Sequence, residues 1–354
     1  MMQMKLTKAT ELLSILLAVS VIFAALPTTS YALDTGTEVI HIKTAEDLKA
    51  LASIAVSENA TRGKSFILDN DIELKAGEFY TIPIMGGTFD GANHTISGII
   101  SEAAAAEGGF FRRIGTSGTV KDLNISADFN TPDKTEKLGG IAGTNYGKIS
   151  NCTFSGNIAG GSDIGGIVGV NEKSGTITAS AANGSVSGFH RAGGIAGTNS
   201  GSISDCQSNV MVNTAYRIIE QAKTGENILS VEIWLDVTDI GGIAGKNDGK
   251  LTGCKNGGDV GYIHVGYNIG GIARGQSGSI HECSNSGKIL GRRDIGGICG
   301  KLEPVGFWST AESYAAKLEK QLDEVKSSID GAIDEFENKA DGTGERFNDI
   351  VDKL

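Results

Sequence analysis

The stretch Gly139-Gly-Ile-Ala-Gly-Thr-Asn-Tyr-Gly-Lys-Ile-Ser-Asn-Cys152 decides the fold of this 354-residue chain, because its Gly-Gly-Ile core recurs along the sequence. The recurrences begin at Gly165, Gly193, Gly241, Gly270 and Gly296. Successive starts are 26, 28, 48, 29 and 26 residues apart, and a period of about 20–50 residues is typical of solenoid proteins. The spacing of 48 indicates one unit of about 28 residues that carries an insertion of roughly 20. One repeat is therefore expected to form one turn.

The residue order within a unit predicts short strands. Each unit contains Gly-Gly-Ile-x-Gly, then Asn, then Gly-x-Ile, then a Gly-flanked Val or Ile, as in residues 139–158. The three apolar runs are too short for helices, and the Gly and Asn residues between them adopt the positive φ of tight corners. A single unit cannot bury its apolar face, so units are expected to stack at about 4.8 Å. The predicted fold is all-β, a right-handed parallel β-helix (solenoid) over residues 86–306.

Two columns of residues support this register. One column, six residues after each first Gly, is expected to form an amide ladder along the axis and contains Asn145, Asn171, Asn199 and Asn247. The other contains Leu123, Cys152, Ser180, Cys206, Cys254 and Cys283. A position that accepts Leu, Ser and Cys indicates small or apolar groups facing the interior. We therefore predict free, structural thiols that do not react in the native protein.

The stretch from Gly139 to Cys152, with its recurrences at Gly193 and Gly241, resembles the GLUG motif of bacterial secreted and surface β-helix proteins. The resemblance extends over residues 38–300 and is specific for the fold. It implies an adhesin-like surface protein, and some proteins of that group are the N-terminal parts of IgA peptidases. The motif carries no catalytic residues that could be transferred to this chain.

Composition excludes several classes of protein. The chain has 51 Gly and 4 Pro without a three-residue period, which argues against collagen, and 40% hydrophobic residues argue against disorder. Its formal net charge of −11 argues against nucleic acid as a partner. Cysteine and histidine show no zinc-type spacing, so neither a metal nor a cofactor is predicted.

Residues 1–32 are predicted to be a signal peptide. Lys5 and Lys8 precede an apolar run over residues 12–26, and the small residues Ser30 and Ala32 suit a signal peptidase. The run is short for a transmembrane anchor, so no transmembrane segment is expected after cleavage. The predicted localisation is secreted or at the bacterial cell surface.

Residues 33–85 are predicted to form an N-terminal cap of strand, helix and strand. Thr44 has the position of an N-cap, with Asp47 three residues later as in a capping box. Leu48, Leu51, Ala52 and Ile54 would lie on one side of the helix. Because a solenoid needs polar ends, this helix is expected to close the stack.

Residues 307–354 are predicted to be an amphipathic helical tail. Its apolar residues follow a 4,3,4,3,4 spacing at Leu318, Leu322, Val325, Ile329, Ala332 and Phe336. This spacing is typical of a coiled coil, and we expect the tail to self-associate into a homo-oligomer. Packing against a partner helix outside this sequence stays open, and the sequence is also compatible with truncation at Leu354.

A few polar residues suggest chemistry. Asp90 and His94 could be an acid and a base, although a turn at an Asp-Gly corner also explains them. Asp163, Asp239 and Asp294 each precede Ile-Gly-Gly, with Asn268 in the same place, so stacked oxygens could bind Ca²⁺. Solvated corner residues are the alternative. No catalytic residues are predicted.

The insertion between Met211 and Val237 is the predicted ligand-contact region, because loops on a rigid scaffold often carry binding residues. The candidate contacts are Tyr216, Arg217 and Trp234, with Tyr262, His264 and Tyr267 in a lengthened corner one coil later. Aromatic and Arg side chains together suit sugars or peptides, so host glycans and matrix or surface proteins are the predicted partners. A loop folded on its own apolar residues is the alternative.

The function predicted from these patterns is that of a non-enzymatic, exported cell-surface repeat protein, either an adhesin or a structural spacer. A carbohydrate-active enzyme of the polysaccharide lyase or hydrolase kind is the first alternative, and the N-terminal part of a larger surface peptidase is the second. A groove that clusters Asp with Arg or Lys would favour the enzyme.

Overall fold

The computed structural model describes residues 38–101, 107–131, 135–214 and 237–302, without the side chains of Gln276 and Leu302. The predicted signal peptide and the predicted helical tail lie outside these residues. The chain divides into two compact units at Val39 and Ile40. Apart from Glu38 and Val39, all the described residues belong to the second unit.

The described chain folds into four sheets, named A to D, that run the length of the solenoid. Sheet A contains β1 (Glu38–Ile42), β2 (Lys64–Leu68), β5 (Thr88–Asp90), β9 (Thr119–Lys121), β13 (Lys148–Ser150), β17 (Thr176–Thr178), β21 (Ser202–Ser204), β25 (Lys250–Thr252) and β29 (Ser279–His281). Sheet B contains β3 (Ile72–Glu73), β6 (Thr95–Ser101), β10 (Asn124–Asn130), β14 (Thr153–Ala159), β18 (Ala181–Ser187), β22 (Gln207–Val212), β26 (Lys255–Asn256) and β30 (Ser284–Asn285).

The two remaining sheets carry the repeated motif. Sheet C contains β4 (Ile82–Met85), β8 (Phe111–Ile114), β12 (Ala142–Asn145), β16 (Val168–Asn171), β20 (Ala196–Asn199), β24 (Ala244–Asn247), β28 (Ala273–Gln276) and β32 (Cys299–Leu302). Sheet D contains β7 (Glu107–Gly108), β11 (Lys137–Gly139), β15 (Ser162–Gly165), β19 (His190–Gly193), β23 (Thr238–Gly241), β27 (Tyr267–Gly270) and β31 (Arg293–Gly296).

Strands of successive coils pair in parallel and in register, so the chain is an all-β parallel solenoid. Each complete coil visits sheets D, C, A and B in that order and therefore has four strands rather than the three predicted. The prediction was wrong because the motif was taken as one strand. In the structure Gly139 ends β11 and Ala142 begins β12, so Gly-Gly-Ile forms the corner between sheets D and C.

The motif glycines allow neighbouring coils to touch through their backbones. A Cβ atom added at Gly139 would lie 2.4 Å from the Cα atom of Val168 in the next coil. One added at Gly166 would lie 2.2 Å from the carbonyl oxygen of Gly194, and one at Gly169 would lie 2.6 Å from a backbone nitrogen of sheet D. These distances are too short for any side chain, so the motif is a requirement for close coil packing.

The interior is an apolar column along the axis. The isoleucines of the motif are fully buried one above the other, at Ile141, Ile167, Ile195, Ile243 and Ile272. Full burial of each such side chain contributes roughly 1.5–3 kcal/mol relative to exposure. In the N-terminal coils, aromatic rings add bulk: the rings of Phe110 and Phe111 meet edge to face with centroids 4.9 Å apart.

Two helices join the first strands. Helix α1 (Ala45–Ile54) begins with the predicted capping box, in which the Asp47 amide donates to the Thr44 hydroxyl (3.2 Å) and the Thr44 amide donates to the Asp47 carboxylate (3.0 Å). Leu48 and Leu51 are buried in the core, whereas Ile54 is exposed. Helix α2 (Glu58–Thr61) follows directly. Strands β2 and β3 of this region already pair with the solenoid strands β5 and β6.

The described cysteines are all free, as the column argument predicts. Cys152, Cys206 and Cys254 are buried, but Cys283 and Cys299 are only half-buried. Cys283 therefore departs from the expectation of a fully interior thiol, because it lies between β29 and β30, the strands at the ends of sheets A and B in the described residues. Among the described helices, none is long and apolar enough to cross a membrane.

Candidate functional site

The corner between sheets B and D is where the coils differ most in length. Two residues connect β14 to β15, whereas 25 connect β22 to β23 and ten connect β26 to β27. The long connection contains the predicted insertion, but its boundaries differ from the prediction. Met211 still pairs with Ser185 inside β22, and Val237 is buried in the core. Tyr216, Arg217 and Trp234 lie outside the described residues.

The ten-residue connection one coil later carries the other candidate contacts. Tyr262 and Val265 close a turn, in which the Val265 amide donates to the Tyr262 carbonyl oxygen (3.1 Å). His264 is exposed and has a φ of 62°, which the turn requires. Ile263, between them, is 52% exposed. This turn therefore presents an imidazole and an aliphatic side chain to solvent at the edge of the corner.

Tyr267, the third described candidate, lies beside two arginines that the sequence reasoning missed. It begins β27 and pairs in register with Arg293 at the start of β31. The guanidinium carbon atoms of Arg292 and Arg293 lie 5.6 Å and 5.5 Å from the centroid of the Tyr267 ring. The backbone amide of Arg292 donates to the carbonyl oxygen of Gly266 (3.0 Å). Extending the Tyr267 column by one more coil would have found these arginines.

A second cluster of polar residues occupies one stacked position of sheet D, two residues before the last glycine of most of its strands. The stacked positions alternate in charge over most of the column and contain Glu107, Lys137, Asp163, Arg191, Asp239, Asn268 and Asp294. The last five of these residues have φ between 54° and 71°, the left-handed region. The column is thus a charge ladder built on a repeated corner conformation.

The carboxylates of this charge ladder bind protein groups of neighbouring coils. Arg191 donates from Nε and Nη2 to the two carboxylate oxygens of Asp163 (2.7 Å and 2.8 Å), and the Thr198 hydroxyl donates to Asp163 Oδ1 (2.6 Å). Arg274 Nε lies 2.8 Å from Asp239 Oδ1. Hydrogen bonding to Asp163 raises the pKa of Arg191.

At the N-terminal end of the ladder, Glu107 is buried between Arg113 and Lys137. Burial alone would raise the pKa of Glu107, but the hydrogen bond and charge of Arg113 and the charge of Lys137 outweigh it, so the pKa lies below its usual range.

The sequence reasoning had weighed a Ca²⁺ site against solvated corners for the aspartates. Asp163 fits neither interpretation, because it is buried and paired with Arg191.

The amide column forms a buried ladder. Asn145 Nδ2 donates to Asn171 Oδ1 (2.8 Å), Asn171 to Asn199 (2.8 Å) and Asn199 to Asn247 (2.7 Å). All four residues are buried. Each amide therefore satisfies the next one inside the solenoid, which is a structural arrangement rather than a reactive one.

Asp90 and His94 do not act on each other. Asp90 forms an ion pair with Lys121 and accepts from the Ala92 amide (2.8 Å), while His94 Nδ1 lies 3.1 Å from Asp71 Oδ1.

Within the part of the chain that the structure describes, no group of three or more His, Cys, Asp or Glu side chains could hold a metal ion. The exposed Tyr267 corner is therefore the best candidate site, and its chemistry is that of binding.

Comparison with known proteins supports the fold and the motif. Residues 136–159 match the family model of the GLUG motif. Halomucin of Haloquadratum walsbyi is 30% identical over 142 residues, which are 40% of this chain, and the match spans 1% of halomucin's own length.

Two solved structures are similar in fold. A candidate immunoglobulin A1 protease from Bacteroides ovatus has a TM-score of 0.53 and 20% identity, over 71% of this chain and 77% of that chain. An IgA1 protease has a TM-score of 0.51 and 14% identity, over 73% of this chain and 20% of that chain. The chain thus carries the GLUG motif on a parallel β-solenoid.

Proposed function

We propose that this protein is an exported bacterial surface protein that binds partners through the B–D corner and catalyses no reaction. The observation that carries the proposal is the position of the irregular connections. Sheets A and C repeat with strands of nearly constant length, whereas the connection from sheet B to sheet D grows from two residues to 25. Loops on a rigid scaffold can vary without disturbing the stack, so binding residues concentrate there.

Glycans or matrix proteins of a host are the proposed partners. Tyr262, His264 and Tyr267 lie on the ten-residue connection and at its end, and the insertion with Tyr216 precedes it by one coil in the sequence. Aromatic side chains present large rigid surfaces to sugars and peptides at a low cost in conformational entropy. The interior columns of Ile, Asn and Cys supply the stiffness that an adhesin or a spacer needs.

Export is part of the proposal and rests on the signal-peptide pattern of residues 1–32. We also propose that the coils wind with a right-handed sense, as parallel strand connections almost always do. Helix α1 would close the N-terminal end, which its buried Leu48 and Leu51 support. The tail over residues 307–354 would form a coiled coil.

A second candidate function is a non-catalytic part of a larger surface peptidase. The observation that favours it is the shared fold with two proteins named as IgA1 proteases, one of which is matched over only 20% of its length. In that case the solenoid would position a catalytic domain rather than bind a surface by itself. The binding function proposed above is compatible with this role.

Replacing part of the insertion tests the proposed function. The replaced segment should be residues 216–235, exchanged for a short Gly-Ser linker, because Val237 is buried and its carbonyl oxygen accepts from the Tyr267 amide (3.0 Å). We expect unchanged β-sheet circular dichroism and loss of attachment to immobilised host glycans or matrix protein. The matched control is Tyr80→Ala, which removes an exposed aromatic ring far from this corner in the sequence. Equal attachment by the parent and the shortened protein would contradict the proposal.

A further inference from the structure

We propose that the Tyr267 corner binds an acidic glycan, that is, a saccharide that carries carboxylate or sulfate groups. This inference rests on the proposed binding function and names the ligand chemistry. Its basis is the pair of guanidinium groups of Arg292 and Arg293, both of which contact the Tyr267 ring in the last described coils.

Tyr267 fixes the position of both arginines. Arg293 stacks in register on Tyr267, and the neighbouring Arg292 is attached by its backbone to Gly266, at the end of the turn that carries His264. Contact of a guanidinium with an aromatic face is worth about 0.5–1 kcal/mol at an exposed site. The ring therefore restricts both side chains before any ligand arrives, which lowers the entropic cost of binding.

The charge ladder of sheet D is paired differently from Arg292 and Arg293. Each described cation of the ladder takes a carboxylate from a neighbouring coil, as Lys137 does from Glu107 and Arg191 from Asp163. Arg293 stacks on a tyrosine instead, and its closest carboxylate is that of the adjacent Asp294, 3.4 Å away and largely solvated. Among the described residues, Arg292 has no carboxylate within ion-pair distance.

The chemistry of the corner matches an anionic ligand. Guanidinium groups form a fork of donors that matches carboxylate and sulfate oxygens, and the exposed imidazole of His264 adds a donor in the same corner. The protein carries a net charge of −11, so a polyanion would be repelled over most of the surface. Electrostatic attraction is therefore expected only where cations cluster, as Arg292 and Arg293 do, and binding should weaken as salt concentration rises.

Titration of the full chain with three oligosaccharides tests this inference. The probes are a hyaluronan octasaccharide with carboxylates, a heparin octasaccharide with sulfates, and a neutral chitin hexasaccharide. We expect one or both acidic probes to bind, with the stronger one identifying the source of the anion. The Arg292→Gln/Arg293→Gln variant should lose about tenfold in affinity, the loss expected for one or two charge-assisted hydrogen bonds.

Matched variants separate a site from general charge. Lys148→Gln/Lys250→Gln removes the same charge from exposed positions of sheet A and should change affinity less than about twofold. Tyr267→Leu should weaken binding by roughly threefold while Tyr267→Phe keeps it, because the ring face and not the hydroxyl positions the arginines. Asp294→Asn should strengthen binding, since it removes the carboxylate that competes for Arg293.

Three outcomes would overturn the inference. Equal losses in the arginine and lysine double variants would show nonspecific electrostatic binding. Equal affinity for the neutral and acidic probes would leave the binding corner in place but exclude the acidic ligand class. Binding of none of the three glycans, combined with retained attachment to matrix protein, would reject the glycan and keep the proposed function.

Discussion

Two nearly identical septets end up in different environments. Asp163-Ile-Gly-Gly-Ile-Val-Gly169 lies inside the stack, and Asp294-Ile-Gly-Gly-Ile-Cys-Gly300 lies in the last described coil. Ile164 and Ile167 are fully buried, whereas Ile295 and Ile298 are 46% and 42% exposed. The burial of an isoleucine in this solenoid therefore depends on the coils stacked on both sides of it, and not on the sequence of its own coil.

The same contrast applies to the charged corner. Asp163 is buried, and its carboxylate accepts two hydrogen bonds from Arg191 and one from the Thr198 hydroxyl. Asp294 has the same backbone conformation but is well exposed, with Arg293 as its ion-pair partner at 3.4 Å. An identical local sequence therefore gives a structural ion pair in one coil and an accessible charge in another, and this accessible end carries the proposed ligand site.

A charge introduced into the apolar column should give the largest loss of stability, and the loss should be greater in the interior coil than in the last described coil. Ile167→Asp would place a carboxylate among fully buried isoleucines and should cost at least about 4 kcal/mol or abolish folding. Ile298→Asp, at the equivalent position of the last coil, should cost less than about 1.5 kcal/mol. Thermal melts of both variants would measure this, with Ile167→Ala and Ile298→Ala as milder versions if the first does not fold. Equal melting temperatures within either pair would contradict the comparison.

Alanine substitution of the second motif glycine should show the next largest difference in the free energy of unfolding between the two coils. An added Cβ at Gly166 would lie 2.2 Å from the Gly194 carbonyl oxygen, whereas one at Gly297 would have nothing within 4 Å. We expect Gly166→Ala to lower the free energy of unfolding by about 3 kcal/mol because the coils must separate. Gly297→Ala should be neutral to within about 0.5 kcal/mol. Urea denaturation would measure both, and a destabilised Gly297→Ala would mean that another segment covers the last coil.

The buried amide ladder should be costly to interrupt. Asn199→Ala leaves the Nδ2 group of Asn171 and the Oδ1 atom of Asn247 without this partner, which should cost about 2 kcal/mol. The control is Asn209→Ala, which removes a similar amide bond to Asn183 on the exposed face of sheet B and should cost less than about 0.5 kcal/mol. Denaturant titration distinguishes the two, and equal costs would imply that the ladder contributes no more than a surface bond.

Acid should weaken the attachment of helix α2 to the first coils. Glu58 accepts from the Ser117 amide (3.0 Å), the Ser117 hydroxyl (2.8 Å) and the Thr116 hydroxyl (2.9 Å). The bond from the Ser117 amide is the main reason that the pKa of Glu58 falls from 4.5 to about 2. A lowered pKa in the folded state contributes stability above the ordinary pKa that is lost as pH falls through the folded value.

We therefore expect the free energy of unfolding of the parent to fall between pH 4.5 and about 2, relative to Glu58→Gln. After allowance for partial exposure, the loss should be on the order of 2 kcal/mol. Urea titrations of both proteins across this window would show the gap closing. A gap that stays constant down to the lowest pH would contradict the role given to Glu58.

Cysteine labelling should distinguish the interior coils from the last described coil without any substitution in the chain. Burial raises the pKa of Cys152 to about 12, but the hydrogen bond with Cys254 raises the pKa of Cys283 and burial raises that of Cys299 as well. Access of the reagent rather than thiolate content should therefore set the order, and Cys152, Cys206 and Cys254 are the buried thiols. Cys283 and Cys299 are half-buried and should react with iodoacetamide first. Peptide mapping after a timed reaction would rank them. Labelling of Cys152 as fast as Cys299 in the native protein would contradict the structure.

Much of the fold could be predicted from columns in which one residue type recurs at each repeat. Columns of differing residue types were missed. The amide and cysteine columns were found because the same residue type returns at each repeat. The charge ladder was missed because its members differ: Lys137, Asp163 and Arg191 look unrelated until their strands are stacked. Arg292 and Arg293 were missed in the same way, since only the register relates them to Tyr267.

What the sequence alone determined is the repeat: its period, the parallel stacking of short strands and the interior Ile and Asn columns. These follow from local rules, because a strand's side chains and a corner's φ depend on a few neighbouring residues. Only the tertiary structure decided that Gly-Gly-Ile is a corner, that Asp163 is buried while Asp294 is accessible, and that the Tyr267 ring contacts two arginines. Those properties depend on atoms about one coil away in the chain, and a charge or a ring acquires its partner only when the coils are in register.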